Sequence, residues 1–273
     1  MSTTLATIAT FAAEGGGVQF PPIENVIEWP DHFSIGGLGF NKIGVIAFLA
    51  FLIPTVIFLL GRGGSADKPS KARVFAESIV NFVEEQIARP GIGHGFEPYV
   101  PMLTAIFLFV SLGNIFEVIP FFQMPLNARM AAPLILALSV WAMFVAVGFK
   151  HNGFTYLKDI AWPPGVPTAL KPLVGAIELF STFIVRPFSH AVRLFANMLA
   201  GHILLITFGV LTIATVGSIG ASLSGGVSLL AFIGSFLGLI AFTAFEVGVS
   251  FIQGFVFAIL AAVYIGSSLH PAH

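Results

Sequence analysis

Cysteine is absent from the 273-residue sequence, which excludes disulfides, zinc–thiolate sites and iron–sulfur clusters. Charge is also scarce: 12 Lys+Arg and 13 Asp+Glu make up 9% of the chain, against about 25% in an ordinary soluble domain. A soluble fold of this size cannot clothe its surface with so few charged groups. The net charge of −1 supplies no basic patch, so a nucleic-acid partner is not expected. No Lys or Arg precedes Lys42, whereas Glu14, Glu24, Glu28 and Asp31 do, which is not a positively charged signal-peptide start. No Gly-Lys dipeptide occurs, and with it goes any Walker-type phosphate loop. The patterns His-Glu-x-x-His and Gly-x-Ser-x-Gly are missing too. The seven histidines, at 32, 94, 151, 190, 202, 270 and 273, lack the (i, i+4) pairing of a helical metal site. No metal, cofactor or nucleotide site is expected, and the chain is not expected to be an enzyme on its own.

What remains is apolar. Hydrophobic residues reach 56%, 30 of them Phe, and the mean hydropathy is +0.95. The runs are long and unbroken, which excludes an outer-membrane barrel with its alternating strands and calls for membrane helices. The expected fold is an all-α integral membrane protein forming one membrane domain over 1–273. Three or so conventional spans or interfacial helices precede two long, steeply tilted helices that form a hairpin.

The reading along the chain is as follows. Residues 1–40 form a polar tail outside the membrane, and 42–60 a first span with Pro54 inside it. At 71–90, Phe75, Ile79, Phe82, Val83 and Ile87 recur at helical spacing opposite Lys71, Arg73, Glu77, Glu84, Glu85 and Arg89. That pattern fits an amphipathic helix lying in the interface. Residues 101–119 and 131–149 form a hairpin of two spans, followed by a proline-rich loop to Lys171. The stretches 172–216 and 227–268 would reach about 67 and about 63 Å as helices, while the hydrocarbon core is about 30 Å thick. Neither contains a polar break, so both are read as tilted, joined by the small-residue turn 218–226.

Basic residues set the orientation. Arg62, Lys68, Lys71, Arg73, Arg89, Lys150, Lys158 and Lys171 fall on one side, and only Lys42 and Arg129 on the other. The N-terminus is therefore expected outside and the C-terminus in the cytoplasm.

Within 172–268 the formal charges are Glu178, Arg186, Arg193 and Glu246. Ionisable residues at membrane depth are costly, about 2.5–3.5 kcal/mol for Arg on insertion scales, and are functional candidates by default. Glu178, Thr182, Arg186, His190, Arg193, Asn197 and Gly201 recur at steps of three or four and read as one helical stripe. Glu246, Ser250, Gln253, Phe257 and Tyr264 read as another. In an antiparallel hairpin the pairs Arg193/Gln253 and His202/Glu246 both centre on residues 223–224, inside the turn. Glu246 and Gln253 share a face whereas Arg193 and His202 do not, so the spacing leaves open which pair makes contact.

The segment HAVRLFANMLAGHIL (190–204) resembles the signature of subunit a of F-type ATP synthases. FVSLGNIFEVIP (109–120) resembles a further segment of that family, and EVGVSFIQGFVFAILAAVYI (246–265) its last helix. The resemblance covers nearly the whole chain. It implies a proton-translocating stator subunit of the F0 sector, beside a ring of c subunits and in the company of subunit b and the other F0F1 subunits. Arg193 would separate two aqueous half-channels, with Gln253 as its neighbour. His202, Glu246, Asn114 and Glu117 would line the outer half-channel, and Glu178 with His190 the inner one. Asn197 is carried in the arginine motif. The implied location is the plasma membrane of a bacterium, or alternatively an energy-transducing organellar membrane. Two other classes fit less well: an autonomous transporter would show inverted repeats, and a passive scaffold gives no reason for Arg193.

Overall fold

The computed structural model describes residues 33–35, 38–40, 42–65, 68–119, 122–162, 166–219 and 225–269. Most of the tail at 1–40, Pro120 and most of the 218–226 turn lie outside the described residues. Two antiparallel strand pairs, β1 (Phe33–Ile35) with β2 (Leu38–Phe40) and β3 (Gly64–Ser65) with β4 (Lys68–Pro69), are the strands among the described residues. Everything else that is regular is helical.

The first helix, α1 (Lys42–Leu60), is apolar on all sides, with Pro54 inside it. Phe48, Phe51, Leu59 and Leu60 stand exposed on its surface, an arrangement costly in water and natural against lipid tails. Helix α2 (Lys71–Val83) starts at Ser70, whose side chain caps the Arg73 amide at 3.2 Å. It runs through a π-helical turn (Glu84–Ala88) into α3 (Arg89–Ile92). Val83, Ile87, Ala88 and Ile92 are buried. Phe75, grouped by spacing with this face, is exposed instead.

Helix α4 (Val100–Ile115) is shorter than the 101–119 expected from hydropathy. It ends in tight turns, with the Glu117 amide bonded to the Asn114 carbonyl and the Val118 amide to that of Ile115, both at 3.0 Å. A helix normally stops ahead of a proline, and Pro120 follows. A 3-10 turn (Leu126–Ala128) leads into α5 (Ala131–Asn152).

The proline-rich loop contains a short helix that the sequence did not suggest, α6 (Thr155–Ala161). The prolines of this loop, at 163, 164, 167 and 172, all follow it in the sequence. Its Tyr156 ring packs where Gly148 has no side chain, and the Tyr156 hydroxyl lies 3.2 Å from the Ser268 hydroxyl. Helix α7 (Lys171–Phe180) continues through a second π-helical turn (Ser181–Val185) into α8 (Arg186–Ile219), and α9 (Gly225–Leu269) is the last.

Five helical stretches are long and apolar enough to cross a membrane: Lys42–Leu60, Glu97–Ile115, Ala131–Asn152, Lys171–Val216 and Leu229–Leu269. The protein is an all-helical, multi-pass membrane protein. α9 is its central post, packed on α3, α4, α5 and α8. Ala258, Ala261, Ala262 and Ile265 of α9 are fully buried against Leu103 and Val110 of α4, Phe144 of α5 and Leu194 and Met198 of α8. The alanines let neighbours close in: Gly91 of α3 sits on Ala262, and Gly266 on the Gly91 carbonyl. α8 and α9 run antiparallel. Thr215 meets Ser235, Phe208 meets Phe242, His190 meets Phe257 and Arg186 meets Tyr264, in opposite order along the two helices.

Candidate functional site

Three helices bring one buried polar group together. The turn ending α4 supplies Glu117, α8 supplies His202 and α9 supplies Glu246, all nearly inaccessible. His202 Nδ1 lies 3.2 Å from Glu117 Oε1. The Glu246 carboxyl rests against Gly201, where any Cβ would overlap it. The three side chains thus lie along one buried polar seam, His202 against Glu117 and Glu246 against the neighbouring Gly201. Glu246 meets the backbone at position 201, while the next residue, His202, turns to Glu117. Adjacent residues of α8 thus face different helices, Gly201 toward α9 and His202 toward the end of α4.

This unit continues along α4. Asn114 is fully buried and accepts a 2.7 Å hydrogen bond at Oδ1 from Asn127 Nδ2. One turn back, the Ser111 hydroxyl fills the space left by Gly254. Six buried polar atoms have no protein partner here: Ser111 Oγ, Asn114 Nδ2, Glu117 Oε2, Asn127 Oδ1, Glu246 Oε2 and Ser250 Oγ. Buried polar atoms are normally hydrogen-bonded, to water where protein offers nothing. Such a run of donors and acceptors can relay protons.

Arg193 and Gln253 line a second feature, a narrow crevice shared with His190, Leu194, Val256, Phe257 and Leu260. His190 lines the crevice with Arg193, and its ring stands edge-on to Phe257 at 3.8 Å between centroids. The expected single stripe straddles a border: His190 and Gly201 are buried, whereas Arg193 and Asn197 are exposed. Arg193 thus offers a fixed positive charge on an outward face that it shares with Asn197, among the exposed apolar residues Phe188, Ile203 and Leu204.

Glu178 is half-buried on α7 and does not line the Arg193 crevice. The π-helical turn between them inserts one residue, about 100° of rotation, which a spacing count cannot see. Asn127 and Ser111 were not singled out from the sequence. Asn127 sits in a connection without periodicity, and the available signal was an amide flanked by apolar residues, PLNA.

Comparison with known proteins identifies the family. The family described as ATP synthase A chain matches residues 43–266. The chain is 38% identical over 260 residues to "ATP synthase subunit a" of Frankia alni, covering 92% of this chain and 87% of that protein. It is 34% identical over 262 residues to the protein of the same name from Pseudarthrobacter chlorophenolicus, covering 94% and 96%. The subunit a of Rhodococcus erythropolis is 38% identical over 237 residues, covering 86% and 84%. With the match running from the first membrane helix almost to the end of α9, and with Arg193, His202 and Glu246 inside it, the chain belongs to the ATP synthase A chain family.

Proposed function

We propose that this chain is the stator subunit of a proton-driven F0 sector, working with the other F0F1 subunits and directly beside a ring of c subunits held through subunit b. The carrying observation is the pairing of an exposed arginine with a separate, buried carboxylate–imidazole unit. His202 lies nine residues beyond Arg193 on α8, about 13 Å along the axis.

A carboxylate on the rotor must be neutral to face lipid and charged to face Arg193. Desolvation favours the protonated form, and an opposite charge in reach favours the ionised one. A guanidinium keeps its proton throughout. A rotor carboxyl nearing Arg193 therefore releases its proton toward the side of His190 and Glu178. It regains one from the side of Glu117, His202 and Glu246 before returning to lipid. Gln253, in the same crevice as Arg193, orients the guanidinium, and Asn114 extends the outer route. The membrane potential contributes about 2.3 kcal/mol per charge per 100 mV. Net rotation follows because Arg193 blocks direct passage between the two routes.

The positive-inside count supports an external N-terminus and a cytoplasmic C-terminus. The lengths of Lys171–Val216 and Leu229–Leu269, 46 and 41 residues, support steep tilts, and the charged face of α2 supports an interfacial position. The bacterial sources of the relatives support a bacterial plasma membrane. The test is Arg193→Ala in the complete synthase reconstituted into vesicles. ATP-driven acidification is expected to vanish while the complex still assembles. Undiminished coupled pumping would overturn the reading.

A further inference from the structure

The reading above uses three of the four formal charges in 172–268. The fourth, Arg186, opens α8 immediately after the π-helical turn. Its guanidinium carbon stands 5.3 Å from the centroid of the Tyr264 ring on α9, within cation–π range. Among the described residues no carboxylate forms an ion pair with it. An uncompensated guanidinium on so apolar a helix is costly, and stacking on one ring offsets only part of that cost.

Its position gives the cost a purpose. Arg193 and Gln253 line the crevice together with His190 and Phe257, whose rings are 3.8 Å apart. The next layer is Tyr264, 5.9 Å from His190, and Arg186 lies over that ring. Neither Arg186 nor Tyr264 lines the crevice itself; Arg186 is two turns from Arg193 on the side of α7, about 10 Å along the helix.

We infer that Arg186, seated on Tyr264, is a second fixed cation at the inward mouth of the arginine crevice, where it restrains proton entry from the inner compartment more than proton release to it. This rests on the crevice being the inner route proposed above. A proton entering from inside must climb the whole potential set up by Arg186. One leaving the rotor site starts part-way up, because that site already feels both guanidiniums. At an effective dielectric constant of about 20, a unit charge about 10 Å away changes the rate of a cation's approach by roughly tenfold. Release, starting higher, is altered less. The Tyr264 ring matters because it holds the charge at the mouth.

The experiment uses the complete synthase in vesicles and measures two initial rates: ATP-driven proton pumping and ATP synthesis under a fixed imposed gradient. Arg186→Gln is expected to raise the ratio of pumping to synthesis about threefold or more. Arg186→Lys, which restores the charge, is expected to bring the ratio back toward that of the parent. Tyr264→Leu, which frees the guanidinium from its seat, is expected to shift the ratio in the same direction as Arg186→Gln. An unchanged ratio in Arg186→Gln overturns the inference, as does a shift in Arg186→Lys as large as that in Arg186→Gln. If neither Arg186→Gln nor Tyr264→Leu assembles, the pair is structural and the inference fails. Arg193→Ala in the same vesicles separates the two readings. Normal coupling there refutes the two-route mechanism itself, whereas uncoupling there with an unchanged Arg186→Gln ratio refutes only the role given to Arg186.

Discussion

Replacing Gly201 by Ala adds one methyl group at the most crowded point of the buried carboxylate unit. The new Cβ would stand 2.6 Å from Glu246 Oε2 and closer still to Oε1. Ordinary contact begins near 3.5 Å, so the carboxyl must retreat by about 1 Å. Glu246 is only 2% exposed and cannot simply swing into solvent. A side chain forced about 30° off its rotamer costs about 0.5–1.5 kcal/mol, and overpacking of a tight interior about 1–3 kcal/mol. If the Glu246 carboxyl carries protons to the rotor, a displacement worth about 1.4 kcal/mol slows that step about tenfold. The assay is passive proton flux through the membrane sector in vesicles under an imposed potential, normalised to assembled complex. Gly209→Ala is the control on the same helix. Its Cβ would meet nothing within 4 Å, and Ala in place of Gly raises helix stability by about 0.5–1 kcal/mol. A double variant, Gly201→Ala with Glu246→Asp, withdraws the carboxyl by one methylene and is expected to recover part of the flux. Equal flux in Gly201→Ala and Gly209→Ala would refute the reasoning, and so would a double variant no better than the single one.

Three further outcomes follow from the same geometry. Glu117→Gln keeps a hydrogen-bonding group beside His202 and is expected to cost about 1–3 kcal/mol, while Glu117→Ala strips away the partner and costs up to about 3–5 kcal/mol. Thermal unfolding of the solubilised complex ranks them, and equal losses would remove the case for the 3.2 Å contact. Asn127→Leu leaves the buried Asn114 amide without its 2.7 Å partner, so a destabilisation of about 1–3 kcal/mol is expected, with slower proton flux per complex; a neutral melting temperature speaks against the pair. Gly175→Ala drives a methyl into the Ala161 backbone carbonyl, for a loss of about 1–3 kcal/mol in stability. Thermal unfolding of the solubilised complex checks it, and an unchanged melting temperature speaks against the close approach of α6 and α7.

The membrane helices were legible because hydropathy is a sum over many residues and tolerates error at any one of them. For α8 and α9 an antiparallel order was assumed from the small-residue turn between two apolar stretches, and two residue pairs centred on 223–224 were consistent with it. Arg193 and Glu246 stood out because charge is so rare in this chain. What the sequence concealed depends on single contacts. Hydropathy carried the second span to residue 119, but α4 stops at Ile115, and that early stop turns Glu117 toward His202. Asn127 is one amide in an irregular connection, and no periodicity marks it. Glu178 was placed on the arginine stripe by counting fours, a count that assumes 3.6 residues in every turn.

The π-helical turn at Ser181–Val185 therefore sets phase rather than distance. Taking one residue out of it would shorten the helix by only about 1.5 Å yet swing Lys171–Phe180 through about 100° about the axis of α8. Depth in the bilayer and azimuth around the helix are thus uncoupled on the α7 side of Arg193, as on a vernier. In this part of the chain a one-residue deletion would act mainly as a change of bearing, presenting Glu178 to a different neighbour at almost the same height.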